Sequence, residues 1–314
     1  MSSSPEPSFV ADICVIGLGE IGGGIARFLA ASGLRCAGHD LDAAALSRAA
    51  AAGVQVFTEL SEAVAAAPLI VSSLPSEHAV RQVYLHAGGL VDVGADIVSC
   101  DLSTVSISLA RQLHAARLAA GGQHVEGALI GVGHDAERGD LHLLLAGDDA
   151  AFASLEPLLR VAGKGYARFG QIGHANLAKI LNNGVGQATL AAAAEAVTVA
   201  RLAGLDPVQL VNSMIVGHGA GYSVVLERHG RAMAADQDGP GPARLSVKDA
   251  KALAEAVAPH PAAAPLLART AETLISAVAQ EGCERQAVAM ARRAFRLASA
   301  THQDAAVLRT GAAQ

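Results

Sequence analysis

Lys179 and Asn183 stand four residues apart in NLAKILNN (176–183), inside a stretch that otherwise reads as alanine-rich helix. One turn of helix separates them, so both side chains point the same way. Such a face either meets solvent or lines a site. As a site it has a definite use. Hydride transfer between a nicotinamide and an alcohol or carbonyl carbon requires one proton to move to or from the oxygen. A Lys ammonium hydrogen-bonds the developing alkoxide and donates that proton, and the free amine accepts it in the oxidative direction. Asn fixes a substrate or an ammonium without adding charge.

A second pattern supplies the partner for that chemistry. VIGLGEIGGG places Gly17, Gly19 and Gly22 in GxGxxG spacing, directly after an apolar run and at the start of a helical one. The first Gly permits a tight turn, the second lets backbone approach a pyrophosphate, and the third lets helix pack on strand. Glu20 and Ile21, inside the turn, count among the cofactor-contacting positions. The competing explanation is a packing turn rich in Gly. About twenty residues further on, HDLD carries Asp40, where an acid accepts hydrogen bonds from the adenosine ribose and repels a 2′-phosphate. Asp42 is suited to capping the next helix, which leaves Asp40 for the ribose. NAD is therefore favoured, and NADP stays open because Arg35 and Arg48 complicate the pocket.

The elements around these residues fall into two halves. From residue 11 to about 170, short β-branched runs alternate with helical patterns: ADICVIG, a helix over 20–31, LRCAGHD, LDAAALSRAAAAG, VQVF, LSEAVAAA, PLIVSSLP, a helix over 77–85, ADIVSCD and a helix over 106–120. That alternation predicts a doubly wound Rossmann-type sheet of parallel strands with helices on both faces, finished by QHVEG, LHLLLAG and YARFG. Beyond Gly170 no strand pattern remains. A long helix is expected over 174–203, broken only at Gly184 and Gly186, then helices near 206–216, 221–234, 246–257, 263–281 and 284–298. The expected domains are an unstructured 1–10, a dinucleotide-binding domain over 11–172, an all-α substrate and dimerisation domain over 173–300, and a frayed 301–314.

Bulk properties narrow the classes. A chain of 314 residues with 52% hydrophobic and 17% charged residues describes a folded protein with a large core. The formal charge of -6 and the lack of Lys/Arg blocks argue against a nucleic-acid partner. Cys14, Cys36, Cys100 and Cys283 show no CxxC spacing, and three fall in strand-like runs, so they read as core residues of a reducing cytosol. No signal pattern, membrane span or metal-ligand cluster is apparent. The helical half carries more apolar surface than it can bury alone, which predicts a homodimer or homotetramer.

Several segments, in order, resemble the β-hydroxyacid dehydrogenases related to 3-hydroxyisobutyrate dehydrogenase and tartronate semialdehyde reductase. ICVIGLGEIGGGIARFLAASG is similar to that family's opening motif, and SSLPSEHAVRQVY to the segment whose Leu-Pro pair, here Leu74 and Pro75, lies against the cofactor. CDLSTVS resembles its Asp-x-Ser-Thr-x-Ser element, GQIGHANLAKILNN its Gly-x-x-Gly-x-Gly-x-x-x-Lys-x-x-x-Asn motif, and LSVKDAKALAE its C-terminal Lys-Asp element. The resemblance implies the catalytic lysine at Lys179 and its companion at Asn183, cofactor contact by Thr104, Ser103 on the substrate side, and Lys248 near the nicotinamide. It implies a C-terminal helical bundle like that of 6-phosphogluconate dehydrogenase. Burial between domains beside the second cation Lys248 would bring the pKa of Lys179 down to a useful range. Asp249 is expected to pair with Lys248 or Lys251, and Ser103 or Thr104 to cap the following helix.

The chain departs from the resemblance in one loop. The family's Asp-Ala-Pro-Val-Ser-Gly-Gly, which holds the substrate's carboxylate, is EGALIGV here: the Ser position is Ile130 and the second Gly is Val132, while Gly131 remains. A lost hydroxyl donor weakens an anion site, so the substrate differs from a small 3-hydroxy acid in size, polarity or anchoring, with His134 or Lys248 as alternative anchors. His218 is a further loop candidate. Ala175 replaces the third Gly of the lysine motif, with close packing expected to survive. Two other readings stand beside the dehydrogenase: an imine reductase-like enzyme, which the lost Ser suits and Lys179 opposes, and a non-catalytic dinucleotide-binding module.

Overall fold

The computed structural model describes residues 10–93, 96–217, 225–237, 243–281, and then 289, 290, 292, 293, 296 and 297. His218, Cys283, the 301–314 segment, most of the expected last helix and nearly all of 1–10 lie outside the described residues. The chain forms two compact units that divide between Lys179 and Ile180, inside a helix, a few residues beyond the end of the sheet where the sequence pattern changes.

The first unit is built on one eight-stranded sheet in the order β3-β2-β1-β4-β5-β6-β7-β8. The strands are β1 Ile13–Ile16, β2 Cys36–His39, β3 Gln55–Phe57, β4 Leu69–Ser72, β5 Val98–Asp101, β6 Gln123–Ile130, β7 His142–Ala146 and β8 Tyr166–Arg168. The helices of this unit are α1 Glu20–Ala31, α2 Ala43–Ala51, α3 Leu60–Val64, α4 Glu77–Leu85, α5 Ile107–Ala119, α6 Gly133–Glu137, α7 Asp149–Phe152 and α8 Glu156–Leu159. The central strands are apolar throughout because both faces are covered. Alternation along β1 sends Ile13 and Val15 into one core, with Ile25 and Leu29 of α1. It sends Cys14 and Ile16 into the other, with Val80 and Tyr84 of α4 and Leu109 of α5. Chain order reverses at β1, whose neighbours are β2 on one side and β4 on the other. The carboxyl ends of β1 and β4 therefore flank a topological switch point, the usual ligand crevice of such sheets.

One expectation needs correcting. The sheet is parallel only from β3 to β6; β7 runs antiparallel to β6, and β8 runs parallel to β7. A parallel return needs a crossover of about a dozen residues or more. The β6–β7 link carries only the five-residue α6, so the chain comes back beside the strand it left.

The long helix α9, His174–Leu202, is not broken. Gly184 serves packing: a Cβ there would lie 2.7 Å from Leu253 Cδ1. Ala175 is fully buried against Ala128, Leu144 and Ala146, so the Gly-to-Ala change costs no close contact. Within the second unit follow α10 Pro207–Gly217, a π-helical turn Leu226–Gly230 running into α11 Arg231–Ala234, α12 Ala243–Val257 and α13 Pro265–Glu281. Leu190, Ala194, Leu253, Val257, Leu274 and Ala277 are among the residues of its core. No strand occurs among the described residues of this unit.

Candidate active site

The glycine turn sits at the carboxyl end of β1. Gly17 has φ +89°, a left-handed conformation that L side chains resist, and a Cβ there would collide with the Ser73 carbonyl. A Cβ on Gly22 would collide with the carbonyl of Gly17, so the turn closes only over bare backbone. A Cβ on Gly19 would meet nothing within 4 Å. Two glycines are thus required by close packing, and the middle one borders open space at the N-terminus of α1. Open space beside bare backbone N–H groups is what a pyrophosphate needs, and the residues present fit a dinucleotide.

Asp40 directly follows β2, beside this turn. Its carboxylate accepts from the Leu18 N–H at 2.6 Å and from the Asp42 N–H at 2.8 Å. Two backbone bonds hold the acid in one orientation and leave lone pairs for a ribose diol. Asp42 caps α2, accepting from the Ala44 N–H at 2.9 Å. Neither expected complication reaches Asp40. Arg35 pairs with Asp12 at 2.6 Å, which lowers the Asp12 pKa and raises that of Arg35. Arg48 lies 3.9 Å from Asp42.

The loops after β4 and β5 are tied to each other. The buried Asp101 carboxylate accepts from Ser72 Oγ at 2.6 Å and from Ser103 Oγ at 2.7 Å, and Ser103 Oγ accepts in turn from the Leu74 N–H at 2.9 Å. Tyr84 Oη lies 3.0 Å from Ser72 Oγ, and burial pushes its pKa well up. Ser103 is itself buried; its hydroxyl fixes the turn carrying Leu74 and Pro75. Leu74 Cδ2 lies 3.0 Å from where a Gly17 Cβ would stand. The loops after β1 and β4 therefore meet. Thr104 is half-buried, and Ser106, not Ser103 or Thr104, caps α5.

The lysine helix is anchored by a buried carboxylate. Glu126 in β6, 2% exposed, accepts from the Asn176 backbone N–H at 2.8 Å, from Asn176 Nδ2 at 2.9 Å and from the Gly173 N–H. An acid at a helix N-terminus satisfies orphan donors and complements the helix dipole. Asn176 Oδ1 then accepts from the Val105 N–H at 3.0 Å. Asn176 and Lys179 are three residues apart on α9 and share a face. The stripe carrying Lys179 therefore begins on the loop that holds Thr104, and three residues of helix advance about 4.5 Å. Lys179 is half-buried there.

Ile130 ends β6 and Gly131 follows it, with Ile130 half-buried. His134 is exposed, 3.6 Å from Asp135. In the helical unit, Asn183 donates to Asp249 Oδ2 at 3.0 Å and Gln187 donates to the Ser246 carbonyl at 3.3 Å. Asp249 thus accepts a hydrogen bond from the asparagine of the lysine motif. Lys248 is half-buried on α12. Among the described residues no group of three or more His, Cys, Asp or Glu is arranged to hold a metal ion.

This constellation has relatives. Residues 12–173 match the family described as the NAD binding domain of 6-phosphogluconate dehydrogenase, and residues 173–294 that described as NAD-binding of NADP-dependent 3-hydroxyisobutyrate dehydrogenase. The chain belongs to the β-hydroxyacid dehydrogenase family. It is 30% identical over 213 residues to 2-(hydroxymethyl)glutarate dehydrogenase of Eubacterium barkeri, covering 68% of this chain and 70% of that one. It is 28% identical over 255 residues to 2-hydroxy-3-oxopropionate reductase of Escherichia coli, covering 76% and 85%. The structure of 3-hydroxyisobutyrate dehydrogenase from Mycobacterium tuberculosis with L-serine superposes with a TM-score of 0.77 at 26% identity, over 90% of this chain and 98% of that one. The chain is accordingly an NAD(P)-dependent oxidoreductase of the hydroxyacid dehydrogenase type, acting on a small molecule. No helix among the described residues is long and apolar enough to cross a membrane.

Sequence inspection missed Asp101, Glu126, Asn176 and Asp135 as organisers of the dehydrogenase scaffold. The signal for two of them was legible: Asp101 and Glu126 are acids inside otherwise apolar strand runs, where a carboxylate is held only by several donors. Asn176 stood three residues before Lys179 on the same face.

Proposed function

We propose that Lys179 is the acid/base of an NAD-preferring dehydrogenase or reductase in this family. The bound nicotinamide supplies or accepts the hydride. Lys179 donates a proton to the reacting oxygen in reduction and takes it back in oxidation, while Asn183, one helical turn on, orients substrate or ammonium. Gly17, Gly19, Glu20, Ile21 and Gly22 hold the dinucleotide by backbone and shape, Asp40 the ribose, and Leu74, Pro75, Thr104 and Lys248 the nicotinamide side. Gly131 and Ile130 border the substrate. Ser103 acts through the Leu74 turn it fixes, as a positioning residue. The observation that carries the reading is the Asn176–Val105 bond, which starts the Lys179 face on the cofactor-side loop.

The NAD preference is supported by the fixed Asp40 carboxylate and by the engagement of Arg35 and Arg48 elsewhere. We place the protein in the cytosol: Cys14, Cys36 and Cys100 are free and buried, with the Cys36 thiol pushed by burial up to about 12, thiols kept for packing. We also propose a homodimer or homotetramer through the helical domain after residue 172. Val185, Val199, Leu205, Val216 and Leu266 are exposed there, which supports contact between copies through that domain.

The test is a panel of hydroxy acids, aldehydes and cyclic imines followed by NADH and NADPH absorbance. Turnover of a carbonyl or alcohol with NADH above NADPH is expected. Turnover of imines alone contradicts the assignment, and NADH binding with no turnover of any member makes the protein a binding module. A monomer at micromolar concentration in sedimentation contradicts the assembly.

A further inference from the structure

The loop after β6 is where the family resemblance seats the substrate's carboxylate, and this chain has closed it to an anion at three points. Ile130 offers no hydroxyl. The Val132 N–H, a donor such a loop would extend to an incoming carboxylate, is already taken: it donates to Asp135 Oδ2 at 2.8 Å. Asp135 Oδ1 in turn accepts from Lys164 Nζ at 3.0 Å. Those bonds, the Lys164 one first, hold the Asp135 carboxyl below the usual carboxylate range, so it stays anionic and seated. The third point is Glu20. Its side chain lies against Gly133, where a Cβ would stand 2.7 Å from the carboxyl carbon and collide with Cγ and Oε1.

An external carboxylate arriving here would find its backbone donor taken by Asp135, itself paired with Lys164, and the Glu20 carboxylate against Gly133. A buried anion without donors is costly, and like charges at close range repel. The apolar Ile130 side chain offers the opposite environment. A backbone N–H satisfied from within leaves nothing to be unsatisfied when an uncharged group lies over it.

We propose that the loop Ile130–Gly133 seats an uncharged part of the substrate, so that the compound oxidised or reduced here is a neutral hydroxy or oxo compound and not the free hydroxy acid. This rests on the oxidoreductase reading above. The redox step is unchanged: the carbinol carbon gives up a hydride to NAD⁺, its hydroxyl gives up a proton to the amine of Lys179, and the carbonyl forms. Asp135 and Ile130 are then the residues that set substrate charge.

Matched pairs test this: 3-hydroxypropanoate against its methyl ester, and 3-hydroxyisobutyrate against its methyl ester, with NAD⁺. Wild type is expected to favour the ester in kcat/KM by about tenfold or more, and I130S/D135A, which restores the hydroxyl and frees the Val132 N–H, to shift that ratio about tenfold or more toward the acid. Calorimetric binding of the same acids and esters to the NADH-loaded wild type gives a second readout that needs neither turnover nor a folded variant, and the same preference is expected. Wild type that takes acid as well as ester, or that ignores both in turnover and binding, overturns the proposal, as does a folded double variant with an unmoved ratio. Absence of NADH binding would instead overturn the oxidoreductase reading itself.

Discussion

Two glycine-bearing loops at the same end of the sheet handle backbone N–H groups in opposite ways. After β1, the turn Gly17–Gly22 is closed by contacts that admit no Cβ at its ends, yet Gly19 faces open space. After β6, the turn through Gly131 to Gly133 has its Val132 N–H satisfied by Asp135 and its flank filled by Glu20. The first loop leaves bare backbone beside open space, as binding an anion requires. The second has the same raw material and has been sealed from within. A glycine motif therefore does not define an anion site by itself; what decides is whether a nearby acid has already taken the donors.

The harshest way to break the contrast is G22V. Its Cβ must displace the Gly17 carbonyl, so NADH binding in a fluorescence titration should vanish and the melting temperature should fall by several degrees, at a cost of about 2–4 kcal/mol. A variant that still binds NADH would show that the turn is not the phosphate site. Next in size is Glu126, on the same strand as the sealed loop. E126A leaves the N–H groups of Gly173 and Asn176 without their buried acceptor, worth about 2–4 kcal/mol in urea unfolding. E126Q should recover only part of that, since its amide would turn a donor toward one of those N–H groups. Equal stability of E126A and wild type would refute the anchoring role. D40N keeps the shape but weakens discrimination against a 2′-phosphate, and the NADH-to-NADPH ratio of kcat/KM should drop about tenfold. An unchanged ratio would remove Asp40 from cofactor choice.

The smallest effect is a pH slope. His124 is buried 5.4 Å from the Tyr84 ring, and desolvation first, then His114 and Arg117, carry its pKa down to about 3. Its folded pKa lies below the unfolded value near 6.5, so the unfolded chain binds the proton first. Stability should be full above pH ~6.5 and fall below it by at most about 1.4 kcal/mol per unit. Lowered acids such as Asp12 and Asp135 also lose their contribution as pH falls, but only around and below their ordinary range near 3.8. Urea unfolding between pH 4.5 and 6.5 therefore reads the His124 contribution apart from those two acids. H124Q should flatten that window, and an unaltered slope would assign it to other groups.

The strand–helix alternation and the glycine turn were legible because they rest on short-range patterns: strand periodicity, GxGxxG after β1, and Asp40 just past the next strand. Helix bounds at Glu20–Ala31 and Glu77–Leu85 emerged for the same reason. What escaped was long-range. Glu126 meets Asn176 across 50 positions and Asn176 meets Val105 across 71, and no local periodicity encodes either bond. The reversal of β7 escaped because strand pattern carries no direction; only the brevity of α6 sets it. Asp135 escaped because its identity as an acid says nothing of which N–H it will cap. Ser103 shows the converse, since a polar residue beside a motif was read as substrate-facing and its hydroxyl is spent on Asp101 and Leu74.

The central claim is that the amine of Lys179 moves the proton that accompanies hydride transfer. Single-turnover oxidation of preloaded NADH by K179A, with NADH affinity measured on the same protein, tests it most directly. The expected result is a rate lowered by about 10²–10⁴-fold with NADH affinity nearly unchanged, the signature of a lost general acid. A variant that transfers hydride at the wild-type rate, or that loses NADH binding along with turnover, would contradict the role assigned to it.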